Sequence, residues 1–266
     1  MTMTRWTASR IRSSKGKSRL ACLTAYDYAT ARLVDEAGVP LVLVGDSLAM
    51  TMLGYETTLP VTLAEMLHHT SAVVRGVSNA LVVADMPFMS YQVSIEQALE
   101  NAGRFIKEAG AGAVKIEGGA LRAPLVRALV QNGIPVLGHI GLTPQSIRET
   151  GGYKVQGRRS EEAERLLADA GELARAGIFA LVLECMPAGL GAEITASVPV
   201  PTIGIGAGPG CDGQILVTHD LLGLYSGVTP KFVKQYAAVG ETMARAFETY
   251  RQEVEDGAFP TEEQSY

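Results

Sequence analysis

Short apolar runs recur along this chain at intervals of roughly 30 residues, the length of a strand–helix unit. They are Arg19–Ala25, Leu41–Gly45, Ala80–Ala84, Gly112–Glu117, Pro135–Ile140, Phe179–Leu183, Pro201–Ile205 and Gly213–Val217. Within each run hydrophobic residues follow one another instead of alternating with polar ones. A strand with one face in water alternates. A strand covered on both faces does not, so these runs belong to a buried parallel sheet.

The stretches between them carry helix start and stop signals. Thr62 with Glu65, and Ser94 with Gln97, have the spacing of capping boxes. After Ser94, the residues Ile95, Ala98, Leu99, Ala102, Phe105, Ile106 and Ala109 keep helical spacing, and Gly110 closes the pattern. Ser160, Glu161 and Glu162 start another helix, which Gly177 ends. Eight such units in 266 residues are the arithmetic of an α/β fold of the (β/α)8 TIM-barrel kind, with a doubly wound open sheet as the alternative. We expect a single barrel domain over residues 1–266, with a basic solvated leader over about 1–18 and a polar, fraying tail over about 257–266.

Charge and composition narrow the partners. A net charge of −5 argues against nucleic acid as a main partner. The leader is basic, through Arg5, Arg10, Arg12, Lys15, Lys17 and Arg19, but lacks the apolar core of a signal peptide. No run of 18 apolar residues is present, so no membrane span is expected. Cys22, Cys185 and Cys211 are odd in number and lack metal-type spacing, which fits a reducing cytoplasm.

In a barrel of this kind, chemistry sits at the carboxyl ends of the strands. Those ends read Gly45-Asp46-Ser47, Ala84-Asp85-Met86, Lys115-Ile116-Glu117, Gly138-His139 and Leu183-Glu184-Cys185. Alternation puts Lys115 and Glu117 on one face. That pair alone could be an ion pair closing a strand, and any one acid could be a helix N-cap. Four carboxylates converging on one rim cannot all stay ionised without a cation, and a hard divalent ion such as Mg²⁺ answers that need. His139 reads either as a core histidine or as a group orienting a substrate oxygen. Tyr26 reads mainly as packing near the rim, His68 and His69 as surface or packing, and Cys185 as core. His219 follows the eighth strand with nothing else in its support. The spelling Gly208-x-Gly210-x-x-Gly213 precedes a strand and contains Pro209, so we discount it as a dinucleotide motif. Gly204 to Gly208 is a candidate phosphate site or a place where backbone passes close to substrate. Residues 141–159 form a long connection of the kind that makes lids.

These blocks together resemble a known family. Thr24-Ala25-Tyr26-Asp27-Tyr28, Val44-Gly45-Asp46-Ser47-Leu48, Ala84-Asp85-Met86-Pro87-Phe88, Val114 to Gly119, Gly138 to Gln145, Gly151 to Gly157 and Ile203 to Gly208 all resemble the ketopantoate hydroxymethyltransferases (3-methyl-2-oxobutanoate hydroxymethyltransferases). The resemblance runs from about Thr4 to the C-terminus. It implies a phosphoenolpyruvate/pyruvate-type barrel that transfers a hydroxymethyl group from 5,10-methylenetetrahydrofolate to 3-methyl-2-oxobutanoate, giving 2-dehydropantoate for pantothenate and coenzyme A. It also implies Mg²⁺ on Asp46, Asp85 and Glu117, oxo-acid contacts from Asp46, Ser47, Asp85, Lys115 and His139, and Glu184 as the base on a Mg-stabilised enolate. A cytoplasmic homo-oligomer, often a homodecamer, is implied as well. The rivals are a Mg-dependent lyase or aldolase, a Schiff-base enzyme built on Lys115, and a non-catalytic oxo-acid binder.

Overall fold

The computed structural model describes residues 5–224, 227 and 229–266. Its contacts divide the chain into two units, one up to Val217 and one over Thr218–Tyr266. In the first unit eight parallel strands close into a barrel: β1 (Leu20–Thr24), β2 (Leu41–Val44), β3 (Leu81–Asp85), β4 (Ala113–Glu117), β5 (Val136–Gly141), β6 (Ala180–Glu184), β7 (Thr202–Ile205) and β8 (Gly213–Leu216). Each lies within the expected apolar run to a residue or so. The open-sheet alternative is excluded by the pairing of β1 with β8, where Cys22 sits opposite Ile215.

Side-chain alternation sorts the apolar residues into two clusters. One holds Leu41, Leu43, Leu81, Val83, Leu137, Val182, Ile203 and Ile215, the inward positions of the strands. The other holds Val42, Val44, Val82, Val114, Ile116 and Leu181, which face the helices. Along β3, Leu81 and Val83 belong to the inner cluster and Asp85 is the next residue on the same face. The interior is therefore apolar at the amino end and polar at the carboxyl end.

The helices of this unit are α1 (Ala8–Arg12), α2 (Tyr28–Glu36), α3 (Leu48–Thr51), α4 (Leu63–Gly76), α5 (Ile95–Lys107), α6 (Ala123–Gln131), α7 (Ile147–Thr150), α8 (Ser160–Ala176) and α9 (Ala188–Ser197). Thr62 and Glu65 form the full capping box of α4. Ser94 accepts from the Gln97 N–H, but the Gln97 side chain does not return the bond, so only half of that box forms. Helix α5 ends at Lys107, and Gly110 takes a left-handed turn beyond it.

Two expectations are met only in part. Residues 1–4 of the leader lie outside the described residues. Most of residues 5–18 are exposed, but Ile11 of α1 is fully buried in the inner cluster, and Lys15 Nζ lies 2.8 Å from Asp212 Oδ2. Not every strand has a following helix inside the barrel. Residues 206–212 connect β7 to β8 with none. A Cβ on Gly208 would fall 2.4 Å from the Ala188 Cβ, and one on Gly210 2.7 Å from the Ala192 Cβ. The glycine-rich spelling thus lets a connection of turns and bends lie against α9.

Asp35, near the end of α2, ties that helix to the start of β3. Its carboxylate is 4 % exposed and accepts from the backbone N–H groups of Ser78, Asn79 and Ala80 at 3.0, 3.0 and 2.7 Å. Burial alone would raise its pKa, but these donors outweigh burial and hold the carboxyl below its ordinary value of 3.8. A depressed pKa stabilises the fold above the unfolded value and loses that contribution as pH falls through the folded one. Asp35→Ala is expected to cost about 2–3 kcal/mol at pH 7, because it strands buried donors. Urea unfolding as a function of pH should show the gap between the two proteins narrowing below about pH 4. A gap that stays constant down to pH 2 would refute the assignment.

In the second unit, α10 (Thr218–Leu221) is followed by α11 (Val239–Glu255). The tail over 257–266 is exposed throughout and contains a short helical turn over Glu262–Gln264, capped reciprocally by Thr261 and Gln264. His219 lies in this unit. Among the described residues no helix is long and apolar enough to cross a membrane.

Candidate active site

The register of the barrel places the chemistry. Asp85 of β3 is paired with Lys115 of β4, Glu117 of β4 with His139 of β5, and Gly141 of β5 with Glu184 of β6. The pairs step two residues along β4 and again along β5, so these side chains together form the polar carboxyl end of the barrel above its apolar interior. Asp46 joins it from just beyond β2. None of the four acids is a helix N-cap; Ser47, Ser94 and Pro187 take that position on α3, α5 and α9.

Lys115 is the hub. It is 3 % exposed, and its Nζ donates at 2.8 Å to each oxygen of Asp85 and at 3.1 Å to Glu117 Oε1. Burial opposes its charge, but Asp85, Glu117 and Asp46 overcome that and hold its pKa well above the ordinary value. Its three short contacts to Asp85 and Glu117 engage the ammonium protons, an arrangement unlike that of an amine freed to form a Schiff base.

The acids respond differently. Asp46 is pushed well above its ordinary value by burial and by the negative charges of Asp85 and Glu117. Asp85 is also raised, burial outweighing the contact with Lys115. Glu117 is lowered, because Lys115 and His139 more than offset its burial. The His139 ring lies between two carboxylates, Nδ1 3.3 Å from Glu117 Oε1 and Nε2 3.2 Å from Glu184 Oε2. Both contacts are off the line of a well-formed hydrogen bond. Burial and Lys115 disfavour its charge, yet the two carboxylates prevail and raise its pKa to about 9. His139 is thus neither a plain core histidine nor bonded to a carbonyl.

Asp46, Asp85 and Glu117 are all buried, and one carboxylate oxygen of each lies within 4.8 Å of the others. Lys115 supplies one positive charge against their three negative ones. An all-oxygen donor set with surplus negative charge fits a hard divalent cation and does not fit zinc-type coordination. Glu184 stands outside this group, with its side chain 15 % exposed toward the mouth. Its backbone is tightly held: a Cβ on Gly141, where φ is +98°, would fall 2.2 Å from the Glu184 carbonyl oxygen, and Leu142 N–H donates to that oxygen at 2.9 Å. Cys185 follows with φ at +47°, unusual for a residue bearing a Cβ, and it is only partly buried rather than core.

Ser47 stands beside the acids, its Oγ 2.8 Å from the Tyr26 hydroxyl, so the fully buried Tyr26 both packs and reaches the rim. His68 is exposed on α4, while His69 Nδ1 is 2.6 Å from the Tyr26 carbonyl oxygen. Within the long connection after β5, Tyr153 OH lies 3.5 Å from Met50 Sδ of α3. Sequence reasoning overlooked Gln145 and Tyr91. Gln145 is 5 % exposed and bonds to Asp46, Glu117 and Tyr91. Its signal was present only as one letter in the Gly138 to Gln145 block.

The pattern of the ketopantoate hydroxymethyltransferase family matches residues 5–262 of this chain. A 3-methyl-2-oxobutanoate hydroxymethyltransferase from Moorella thermoacetica is 60% identical over 248 residues, covering 93% of this chain and 92% of that protein. One from Carboxydothermus hydrogenoformans is 57% identical over 265 residues, covering 99% and 96%. Among solved structures, a phosphonopyruvate hydrolase complexed with oxalate and Mg²⁺ matches with a TM-score of 0.63 at 13% identity, over 97% of this chain and 93% of that one. A 2,3-dimethylmalate lyase matches with a TM-score of 0.60 at 18% identity, over 97% and 91%. At those identities the structural matches speak for the barrel alone.

Proposed function

Because this chain belongs to the ketopantoate hydroxymethyltransferase family and is a transferase of that kind, we propose that it takes the one-carbon unit from 5,10-methylenetetrahydrofolate, works on a divalent-cation site formed by Asp46, Asp85 and Glu117, and uses Glu184 as its base. The observation that carries this reading is the buried acid cluster with Lys115 at its centre and a separate, partly exposed carboxylate two strands away.

A divalent cation held there, Mg²⁺ in our reading, would polarise the keto and carboxylate oxygens of 3-methyl-2-oxobutanoate as a Lewis acid. Lys115 places positive charge beside the same oxygens, and its contacts with Asp85 and Glu117 keep it from moving away. Ser47 and His139 have donors at the polar end of the barrel to orient the oxo acid. Glu184 accepts the C3 proton, the C3–H electrons passing into the enolate. That enolate forms a carbon–carbon bond with the methylene carbon, delivered at the oxidation level of formaldehyde. One water supplies the hydroxyl oxygen, and tetrahydrofolate departs with the C–N bonding electrons. The product is 2-dehydropantoate, on the way to pantothenate. We further propose a cytoplasmic homo-oligomer. Met243, Phe247, Tyr250 and Val254 form an exposed stripe at helical spacing along α11, with only Tyr250 meeting another ring, that of Phe259, among the described residues, as a face that meets a second copy would be.

The test follows the C3 proton of 3-methyl-2-oxobutanoate by proton NMR in D₂O. We expect the signal to vanish with enzyme and Mg²⁺ and to persist with enzyme and chelator. Addition of 5,10-methylenetetrahydrofolate should then yield 2-dehydropantoate. Exchange that proceeds equally in chelator would remove the cation from the reaction, and no exchange with folate present would remove the enolate.

A further inference from the structure

Gln145 lies in a short turn after β5, yet its side chain runs back under the barrel mouth. Its Nε2 donates to Asp46 Oδ2 at 3.0 Å and to the Met86 carbonyl at 2.9 Å. Its Oε1 accepts from the Tyr91 hydroxyl at 2.8 Å and from Gln92 Nε2 at 3.1 Å. Its backbone N–H donates to Glu117 Oε2 at 3.1 Å. Both amide protons and both acceptor positions are therefore in use. The orientation is fixed as well, since a carboxylate and a carbonyl only accept, which requires Nε2 on their side. Tyr91 is 2 % exposed and also accepts from the Glu117 N–H at 3.1 Å.

A donor on one oxygen of a carboxylate fixes its plane and leaves the remaining lone pairs for a cation. Gln145 does this for Asp46 through its side chain and for Glu117 through its backbone N–H, while Lys115 donates to the other Glu117 oxygen. Asp85 is held separately, by Lys115 and by the Asp46 N–H at 3.2 Å. We propose that Gln145 is a positioning residue that presets the carboxylates of Asp46 and Glu117 for a divalent cation, with Tyr91 locking its amide. This rests on the reading of the three acids as a cation site. Without the side-chain amide Asp46 loses its donor, while the Gln145 backbone N–H and Lys115 still hold Glu117; repulsion then turns the Asp46 carboxylate away, and the cation must bring it back as it binds.

The test uses Mn²⁺ as probe and the full-length protein without substrate, with free Mn²⁺ counted by electron paramagnetic resonance. Gln145→Met keeps the size and removes every amide bond of the side chain. Tyr91→Phe removes only the hydroxyl. Loss of a group that orients metal ligands weakens binding about 10- to 100-fold, which is the expectation for Gln145→Met. Tyr91→Phe should weaken binding in the same direction by less, and it decides the matter alone if the methionine variant fails to fold. Melting temperatures in chelator are recorded alongside. Variants that melt lower but bind Mn²⁺ as wild type does would make Gln145 a packing residue and overturn the inference. Wild-type protein that binds no Mn²⁺ would overturn the cation reading itself, and the inference with it.

Discussion

Glu184→Gln is expected to lower turnover about 10²- to 10⁴-fold while divalent-cation and oxo-acid affinities stay within a few-fold of wild type. That span corresponds to about 3–5 kcal/mol of barrier. The split between the two readouts follows from geometry. Glu184 is outside the cluster of Asp46, Asp85 and Glu117, so a neutral amide there leaves the cation's ligands untouched. The glutamine has the same length and sits on the same backbone, which Gly141 and Leu142 hold against movement. It cannot take a proton. Its one altered neighbour is His139, 3.2 Å away, which exchanges a carboxylate contact for an amide one. The measurement pairs C3-proton exchange in D₂O with calorimetric titration of Mg²⁺ and oxo acid. Exchange within tenfold of wild type would dismiss Glu184 as the base.

Lys115→Met is expected to cost about 3–5 kcal/mol of folding stability in chelator, the scale for removing one member of a buried charged group. The lysine is 3 % exposed and contacts two of three buried carboxylates. Its loss leaves those acids facing one another across a few ångströms with no cation among them. Urea unfolding in chelator reads the cost. Repeating it with Mg²⁺ should recover about 2.7 kcal/mol at a concentration one hundred times the dissociation constant, because only the folded chain assembles the three acids. Turnover is expected to be lost in both conditions, since the cation does not replace the charge beside the oxo-acid oxygens. A variant as stable as wild type in chelator would mean that Lys115 is not what neutralises the acids.

The strands were legible because a run buried on both faces must be apolar throughout, a requirement that Val114 and Ile116 meet on one side and Ala113 on the other. The acids were legible because charge at the end of such a run needs a reason, and the barrel brings those strand ends together at one mouth. Gln145 was not. A glutamine in a polar connection breaks no pattern, and its partner Asp46 is 99 positions away. The connection over residues 206–212 escaped for a related cause. Glycines that permit close packing against α9 are spelled like glycines that cradle a phosphate, and only the position of Ala188 and Ala192 separates them. Ser94 and Gln97 have the letters of a reciprocal cap, but spacing does not decide where a long side chain turns.

The closure of β1 onto β8 bears on how the chain can be made. Leu20–Thr24 is synthesised well before its second partner, Gly213–Leu216, with seven-tenths of these 266 residues between them. During that interval β1 has one row of peptide groups without a mate, and whichever strand was made last has another. Both are templates for stray pairing until the ring shuts. The residues that brace the seam from below come from both sides of it, Ile11 and Lys15 from the beginning and Asp212 from the connection before β8. Order in the opening segment is therefore completed by residues some two hundred positions downstream.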